Sequence, residues 1–127
     1  MTPGFGADDF DSTYKEIIES LQCPLILACA DVNSTELNGV FVDNIKGAYD
    51  SVKLLIERGH KRIGILLGPL SSEPMSQRLL GYKKALIENN IKVKENYILK
   101  ADFTCENAYE ITKEMLDSKE CPSALIV

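Results

Sequence analysis

Short apolar runs alternate along this chain with longer stretches whose apolar residues recur every three or four positions. The runs have the length of β-strands, and the longer stretches have the periodicity of amphipathic helices. Strands that are apolar on both sides indicate a parallel sheet with helices on both faces, so we predict an α/β fold. The predicted strands are 25–30, 40–42, 63–67, 97–100 and 123–127, and the predicted helices are 13–21, 44–58, 74–89 and 105–117.

The segment from Gly59 to Tyr82 carries the strongest indication of function. Gly59 ends one predicted helix, residues 63–67 form a buried strand, and a polar loop leads into a helix with Arg78 in its first turns. Ligands of open α/β sheets bind in the crevice outside the carboxyl ends of the strands. A guanidinium there can hold a polyhydroxylated or planar ligand through fixed donors. Periodicity alone is equally compatible with a surface arginine.

Three more residues follow predicted strand ends. Ser71 and Ser72 lie in the polar loop after strand 63–67 and are candidates to line a cleft. This loop lacks the residues of a dinucleotide fingerprint or a Walker motif, which disfavours a nucleotide phosphate. Phe103 follows strand 97–100, where an aromatic ring can stack on a sugar or a base, or can equally be part of the core.

No group of residues in the sequence has the spacing of a catalytic or metal site. His60, the only histidine, follows a predicted helix end together with Lys61 and Arg62, and cations at this position stabilise the negative end of a helix. The acidic residues near the N-terminus lack the glycine and the distal glutamate of a calcium loop. We therefore predict that the protein is not an enzyme and has no cofactor or metal.

The composition limits which partners the chain can bind and which cellular compartment it fits. The net charge of −5 disfavours nucleic-acid binding by this chain itself, because phosphate-binding surfaces carry an excess of Lys and Arg. The four cysteines lie far apart without a C-x-x-C motif, which predicts buried free thiols in a reducing cytosol. The start has no signal-peptide pattern, and no apolar stretch approaches the ~20 residues of a membrane span. These observations predict a soluble cytoplasmic protein without membrane contacts.

Seven segments form a longer pattern: Cys23-Pro-Leu-Ile-Leu; Val42-Asp43-Asn44 followed by Gly47-Ala48; residues 54–64; Gly68-Pro-Leu-Ser-Ser; Arg78 followed by Gly81-Tyr82; Asp102-Phe103; and Pro122-Ser-Ala-Leu. Each segment alone is weak. Their order and spacing resemble the effector-binding domains of bacterial regulators of the LacI/GalR family over about residues 12–127.

The resemblance implies a periplasmic-binding-protein-like core, in which two α/β subdomains hold a small effector between them. It implies that Arg78 contacts the effector, that Phe103 stacks against it and that Asp43 borders the cleft. It also implies homodimers, and DNA binding through a helix-turn-helix headpiece that is missing from this sequence.

The same resemblance gives the expected organisation and function. We expect an irregular lead-in at 1–11, the C-terminal part of the N-terminal subdomain at 12–59 and the first part of the C-terminal subdomain at 60–127, with a partial ligand site. The predicted function is to sense a small sugar or a purine-like nucleobase and thereby control DNA binding by the headpiece. The alternative is a sugar-binding protein of a transport system, which the absent signal peptide and the unpaired cysteines disfavour.

Overall fold

The computed structural model describes residues 20, 21, 23, 24, 26–28, 39–102 and 104–127. These residues include the elements β1 (Leu27–Ala28), β2 (Gly39–Val40), α1 (Asn44–Glu57), β3 (Ile63–Leu67), α2 (Glu73–Glu88), a 3₁₀ turn (Glu95–Tyr97), β4 (Ile98–Lys100), α3 (Cys105–Leu116) and β5 (Ala124–Ile126). From residue 39 onward, the predicted and observed boundaries agree to within two residues. The predicted helix 13–21 and part of the predicted strand 25–30 lie outside the described residues.

The chain divides into two compact units, residues 1–42 and 43–127. In the first unit, β1 and β2 pair in parallel, with Leu27 opposite Gly39. In the second unit, β3 lies between β4 and β5 and pairs in parallel with both strands. All the described strand pairs are therefore parallel, which confirms the predicted α/β class.

The strand order of the three-stranded sheet determines where its helices lie. From β3 the chain crosses to β4 through α2, and it then crosses back past β3 to β5 through α3. Because parallel crossovers are right-handed, crossovers in opposite directions place their helices on opposite faces of the sheet. We name the face under α2 face A and the face under α3 face B. Helix α1 packs along α2 and so belongs to face A.

Face A contains the best-buried core of the second unit. Ile63, Ile65 and Leu67 point to this face, because side chains alternate between the two sides of a strand. They are 1–2% exposed and pack with Val52 of α1 and Tyr82 of α2. Burial of such apolar side chains contributes about 1.5–3 kcal/mol each, which makes this layer the main source of stability in the unit.

The two helices of face A come into close contact at Gly81. An ideal Cβ atom at Gly81 would lie 2.2 Å from the carbonyl oxygen of Ile45 and 3.1 Å from the Cβ atom of Ala48. A residue with a side chain does not fit at this crossing without moving α1. The next residue, Tyr82, reaches the sheet, where its hydroxyl donates a 2.8 Å hydrogen bond to the carbonyl oxygen of Ile63.

Helix boundaries follow from capping residues that are visible in the sequence. The Asp43 carboxylate accepts a 2.8 Å hydrogen bond from a backbone N–H in the first turn of α1, and Thr104 caps α3 in the same way. Gly59 follows the end of α1 with a φ of 90°, a conformation that glycine adopts more easily than other residues. The conformation of Gly59 confirms the predicted helix stop.

The boundary between the compact units does not coincide with the predicted crossover at Gly59-His60. It falls between Val42 and Asp43, because the apolar stripe of α1 is buried against α2 and β3, both of which lie after the predicted crossover. Helical periodicity identifies such a stripe but cannot tell which strands it covers.

The cysteines agree only in part with the prediction of buried free thiols. Cys23, Cys105 and Cys121 are free thiols. Cys23 and Cys105 are exposed, however, and Cys121 is only partly buried. Cys105 is the first residue of α3, and its position next to the cap leaves the side chain in solvent. Cys29 lies outside the described residues.

Candidate ligand site

The carboxyl ends of β3 and β4 and the amino ends of all three helices meet at one end of the second unit. β3 leads into the start of α2, and β4 leads into the start of α3. Helix α1 runs in the same direction as α2, because Asn44 contacts Arg78 near their amino ends and Tyr49 contacts Glu88 further along. This end of the sheet is where ligands of open α/β folds bind.

Arg78 lies at this end, in the second turn of α2. Its Nε donates a 3.1 Å hydrogen bond to Oδ1 of Asn44, the first residue of α1. The side chain is exposed, and no described carboxylate forms an ion pair with it. The terminal guanidinium nitrogens can therefore donate to a ligand.

Asp43 is the residue before the partner of Arg78, so the structure brings these two predicted site residues to the same helix end. One carboxylate oxygen of Asp43 accepts the capping hydrogen bond from the N–H of Lys46. A carboxylate with this role is fixed in place, and its second oxygen can accept a hydrogen bond from a hydroxyl or amine of a ligand.

Ser71 and Ser72 occupy the turn between β3 and α2, as predicted. Ser72 is the capping residue of α2, but its hydroxyl makes no capping hydrogen bond. Its backbone instead fixes the turn, with its N–H donating 3.1 Å to the carbonyl oxygen of Pro69. Ser71 is exposed and Ser72 is half-buried. Both residues therefore lie at the same strand end as Arg78.

Phe103 lies outside the described residues, but the turn on either side of it is described. Oδ1 of Asp102 accepts hydrogen bonds from both the backbone N–H and the hydroxyl of Thr104. The backbone N–H of Asp102 donates 2.9 Å to Oδ1 of Asn107. The two hydrogen bonds from Thr104, the one from its hydroxyl being the stronger cause, lower the pKa of Asp102 below its usual value. These hydrogen bonds favour the ionised form of the Asp102 carboxylate.

A family described as periplasmic binding proteins and sugar binding domain of LacI family matches residues 10–127. The chain belongs to this family. It is 30% identical over 125 residues to catabolite control protein A of Priestia megaterium, which covers 97% of the chain and 37% of that protein. It is 37% identical over 102 residues to the HTH-type transcriptional repressor CytR of Escherichia coli strain K12, which covers 80% of the chain and 30% of the repressor.

Solved structures of the LacI family have the same fold. One is a sugar-binding transcriptional regulator of this family from Escherichia coli, in complex with phosphate. Its TM-score is 0.75 at 27% identity, over 98% of this chain and 44% of that structure. The chain thus spans about a third of the curated relatives named above and less than half of this solved relative.

In this LacI-family chain, Asn44 is a residue at the candidate site that the sequence did not single out as part of it. In the structure, the side-chain oxygen of Asn44 accepts a hydrogen bond from Nε of Arg78. The clue was present in the Val42-Asp43-Asn44 segment, which belongs to the family pattern.

A separate depression of about 320 Å³ lies between α1 and α2 and is open to solvent. Among the predicted site residues it includes only Asp43. Its charged groups have partners within the helix pair, since Lys84 lies 5.7 Å from the ring centroid of Tyr49 and Lys46 pairs with Asp50. We therefore place the candidate site of this LacI-family chain at the strand ends. The depression is lined by Asp43, Ile45, Lys46, Tyr49 and Lys84.

His60 lies near the amino end of β3, away from the candidate site. Its Nδ1 is 3.0 Å from the hydroxyl oxygen of Ser123, which lies 3.1 Å from the carbonyl oxygen of Arg62. The arrangement joins the starts of β3 and β5 and has no features of a nucleophilic site.

The described part of the chain contains no group of three or more His, Cys, Asp or Glu side chains that could hold a metal ion. Within the same residues, no helix combines the length and the apolar character needed to cross a membrane.

Proposed function

We propose that this chain is the effector-sensing part of a cytoplasmic, non-enzymatic LacI/GalR-type regulator. It binds a small sugar or a nucleobase-like ligand in the cleft between the family subdomains. The ligand shifts the balance between two arrangements of the regulator and thereby controls DNA binding by a headpiece outside these 127 residues. The observation that carries this proposal is Arg78, which lies at a strand end without an acidic partner among the described residues.

The nature of the polar groups favours a sugar over a nucleobase. Arg78, Asp43 and the hydroxyls of Ser71 and Ser72 combine donors and acceptors, and a polyhydroxylated ligand can satisfy both kinds. The family description and the name of the solved relative also refer to sugar binding. A nucleobase would depend mainly on stacking against Phe103, since every base has an aromatic face.

A thermal-shift screen of sugars and nucleobases tests the proposal, because a ligand that binds the folded state raises its melting temperature. At a ligand concentration 100 times the Kd, the stabilisation is about 2.7 kcal/mol. We expect an active compound to stabilise the original chain and the control Arg58→Ala, but not Arg78→Ala. Equal stabilisation of Arg78→Ala would place the ligand elsewhere, and the absence of any active compound would mean that this chain alone does not bind an effector.

A sugar-binding protein of a transport system is the alternative, because the family description includes periplasmic binding proteins. The names of the relatives favour a regulator. Sequencing the gene upstream of Met1 discriminates between the two. A helix-turn-helix coding segment there supports the regulator, and a signal peptide supports the transport protein.

We propose that the family subdomain boundary lies between Val42 and Asp43, in place of the boundary at Gly59-His60 that the sequence suggested. The packing of α1 onto α2 and β3 supports this assignment. Limited proteolysis tests it. Residues 43–127 should survive as one fragment, whereas a stable fragment that begins near residue 60 would favour the earlier boundary.

We also propose that the protein acts as a homodimer, which the family resemblance implies. Light scattering behind a sizing column tests this directly. A species of twice the chain mass supports the proposal, and a single monodisperse species near 14.1 kDa contradicts it.

A further inference from the structure

The hydrogen bond between Arg78 and Asn44 connects two helices at a point where their spacing is fixed. Asn44 is followed by Ile45, whose carbonyl oxygen lies against Gly81, and Gly81 is one helical turn after Arg78 on α2. The close approach at Gly81 therefore brings the amino end of α1 within reach of the Arg78 side chain. The 3.1 Å distance from Nε of Arg78 to Oδ1 of Asn44 is a consequence of this helix crossing.

We propose that Asn44 is a positioning residue for Arg78. Asn44 binds Nε and so fixes the plane of the guanidinium, while both terminal nitrogens keep their donors for the ligand at the strand ends. This role rests on the proposed function of Arg78 as the residue that contacts the effector. Asn44 itself need not touch the ligand.

The physical basis is the loss of side-chain freedom on binding. A long arginine side chain that is free in the unbound protein must be immobilised when the ligand binds, which weakens affinity. A guanidinium that is already held at Nε loses less freedom, and we expect this preorganisation to strengthen binding roughly two- to tenfold. The planar guanidinium suits the role, because fixing one nitrogen also orients the other two.

We expect a replacement of Asn44 to keep the fold. It is the first residue of α1, it is only half-buried, and alanine is a good helix former at such a position. Asn44→Ala should therefore melt at nearly the same temperature as the original chain. Asn44→Asp keeps an oxygen acceptor for Nε and adds a charge that is favourable at a helix start, so it serves as the rescue variant.

Hydrogen exchange at the arginine Nε–H groups tests the positioning role without any effector. The chain has three arginines, Arg58, Arg62 and Arg78, and ¹⁵N spectra of the three Arg→Lys variants assign their signals. Nε of Arg62 is also hydrogen-bonded, at 3.3 Å to the carbonyl oxygen of Cys121. We expect the Nε–H groups of Arg78 and Arg62 to exchange more slowly than that of Arg58.

In Asn44→Ala, exchange at Arg78 should accelerate roughly five- to tenfold, in line with the typical net contribution of one hydrogen bond. Exchange at Arg62 should not change, and Asn44→Asp should restore slow exchange at Arg78. Asn89→Ala, which removes an asparagine at the other end of α2, is the matched control and should leave Arg78 unaffected. Equal exchange at Arg78 in the original chain and in Asn44→Ala overturns the proposal.

Inorganic phosphate serves as the ligand probe, because guanidinium groups bind oxyanions through paired donors. We expect the Arg78 signal to shift saturably with phosphate, and the affinity to fall two- to tenfold in Asn44→Ala but not in Asn89→Ala. Tighter phosphate binding by Asn44→Ala would mean that the hydrogen bond to Asn44 holds Arg78 away from its ligand. An Arg78 signal that does not respond to phosphate in the original chain would mean that the terminal guanidinium nitrogens are not available to a ligand. Either result overturns the proposal. The sugar and nucleobase screen with Arg78→Ala separately decides the proposed function.

Discussion

The two faces of the three-stranded sheet are covered to different extents. On face A, α1 and α2 lie side by side, and the residues of β3 beneath them are almost completely buried. On face B, α3 is the covering helix within the described residues, and Leu66 and Leu125 are only half-buried. The same short strands therefore have one side in a closed core and the other side in a partly open layer.

The difference comes from the way the helices meet. Gly81 lets α1 and α2 form one continuous layer, whereas α3 has no neighbouring helix among the described elements of face B. We conclude that the stability of residues 43–127 depends mainly on face A, and that the position of Arg78 depends on the same helix pair.

Truncation of neighbouring β3 residues gives the largest expected effect and tests this conclusion directly. Ile65→Ala, on face A, should lower the free energy of unfolding by about 4 kcal/mol, because it leaves a cavity in a closed core. Leu66→Ala, on face B, should lower it by about 2 kcal/mol, because a half-buried side chain leaves a smaller cavity. Urea unfolding measures both values. Equal losses would show that the two faces contribute equally.

Gly81→Ala should be the next most damaging change. The new methyl group would meet the carbonyl oxygen of Ile45, and separation of the two helices should cost about 3 kcal/mol. Gly47→Ala is the matched control on α1, since an added Cβ there has no atom within 4 Å and should stabilise the helix by up to about 1 kcal/mol. Similar melting temperatures for the two variants would argue against a tight helix crossing.

Alkaline pH should weaken face A through Tyr82. Burial, and to a lesser extent the nearby Glu95 and Tyr97, raises the pKa of this phenol from 10.0 to about 12. Because the folded state holds the proton more tightly than the unfolded chain, this contribution is complete below pH 10 and is lost as the pH rises towards 12. The expected decrease in the free energy of unfolding is about 2 kcal/mol. Urea unfolding across this pH range should show a smaller decrease in the free energy of unfolding for Tyr82→Phe than for the original chain. If the free energy of unfolding fell equally steeply with pH in both proteins, the prediction would be wrong.

Much of this fold could be predicted from local sequence patterns. The helical periodicity of α1, α2 and α3 and the apolar run of β3 depend on neighbouring residues, and their boundaries agree closely with the structure. The predicted placement of Arg78 after β3 follows from the same local order. These features need no knowledge of which distant segments come into contact.

Contacts between distant segments could not be predicted in this way. Asn44 and Arg78 are 34 positions apart, and their meeting depends on the crossing at Gly81, which the periodicity of either helix does not reveal. The boundary at Val42/Asp43 likewise depends on which sheet α1 covers. The predicted role of Phe103 stays a prediction, because it lies outside the described residues.

The hydroxyl groups of the two buried tyrosines, Tyr82 and Tyr97, give the smallest expected effect on stability, and they differ clearly in their hydrogen bonding. The hydroxyl of Tyr82 is bonded to the carbonyl oxygen of Ile63 in face A, whereas the buried hydroxyl of Tyr97 makes no hydrogen bond to any residue that the structure describes. Tyr82→Phe should therefore lower the free energy of unfolding at neutral pH by about 1 kcal/mol, the typical net contribution of one hydrogen bond.

Tyr97→Phe should leave the free energy of unfolding unchanged or raise it slightly, because it removes a polar group that is buried without a partner. The substitution keeps the aromatic ring, and with it the contact with Lys94, whose Nζ lies 5.2 Å from the ring centroid. A difference between the two variants can therefore be attributed to the hydroxyls alone. If Tyr97→Phe were the more destabilising change in urea unfolding, the Tyr97 hydroxyl would have a partner in solution, and the contrast between face A and its surroundings would be smaller than the packing indicates.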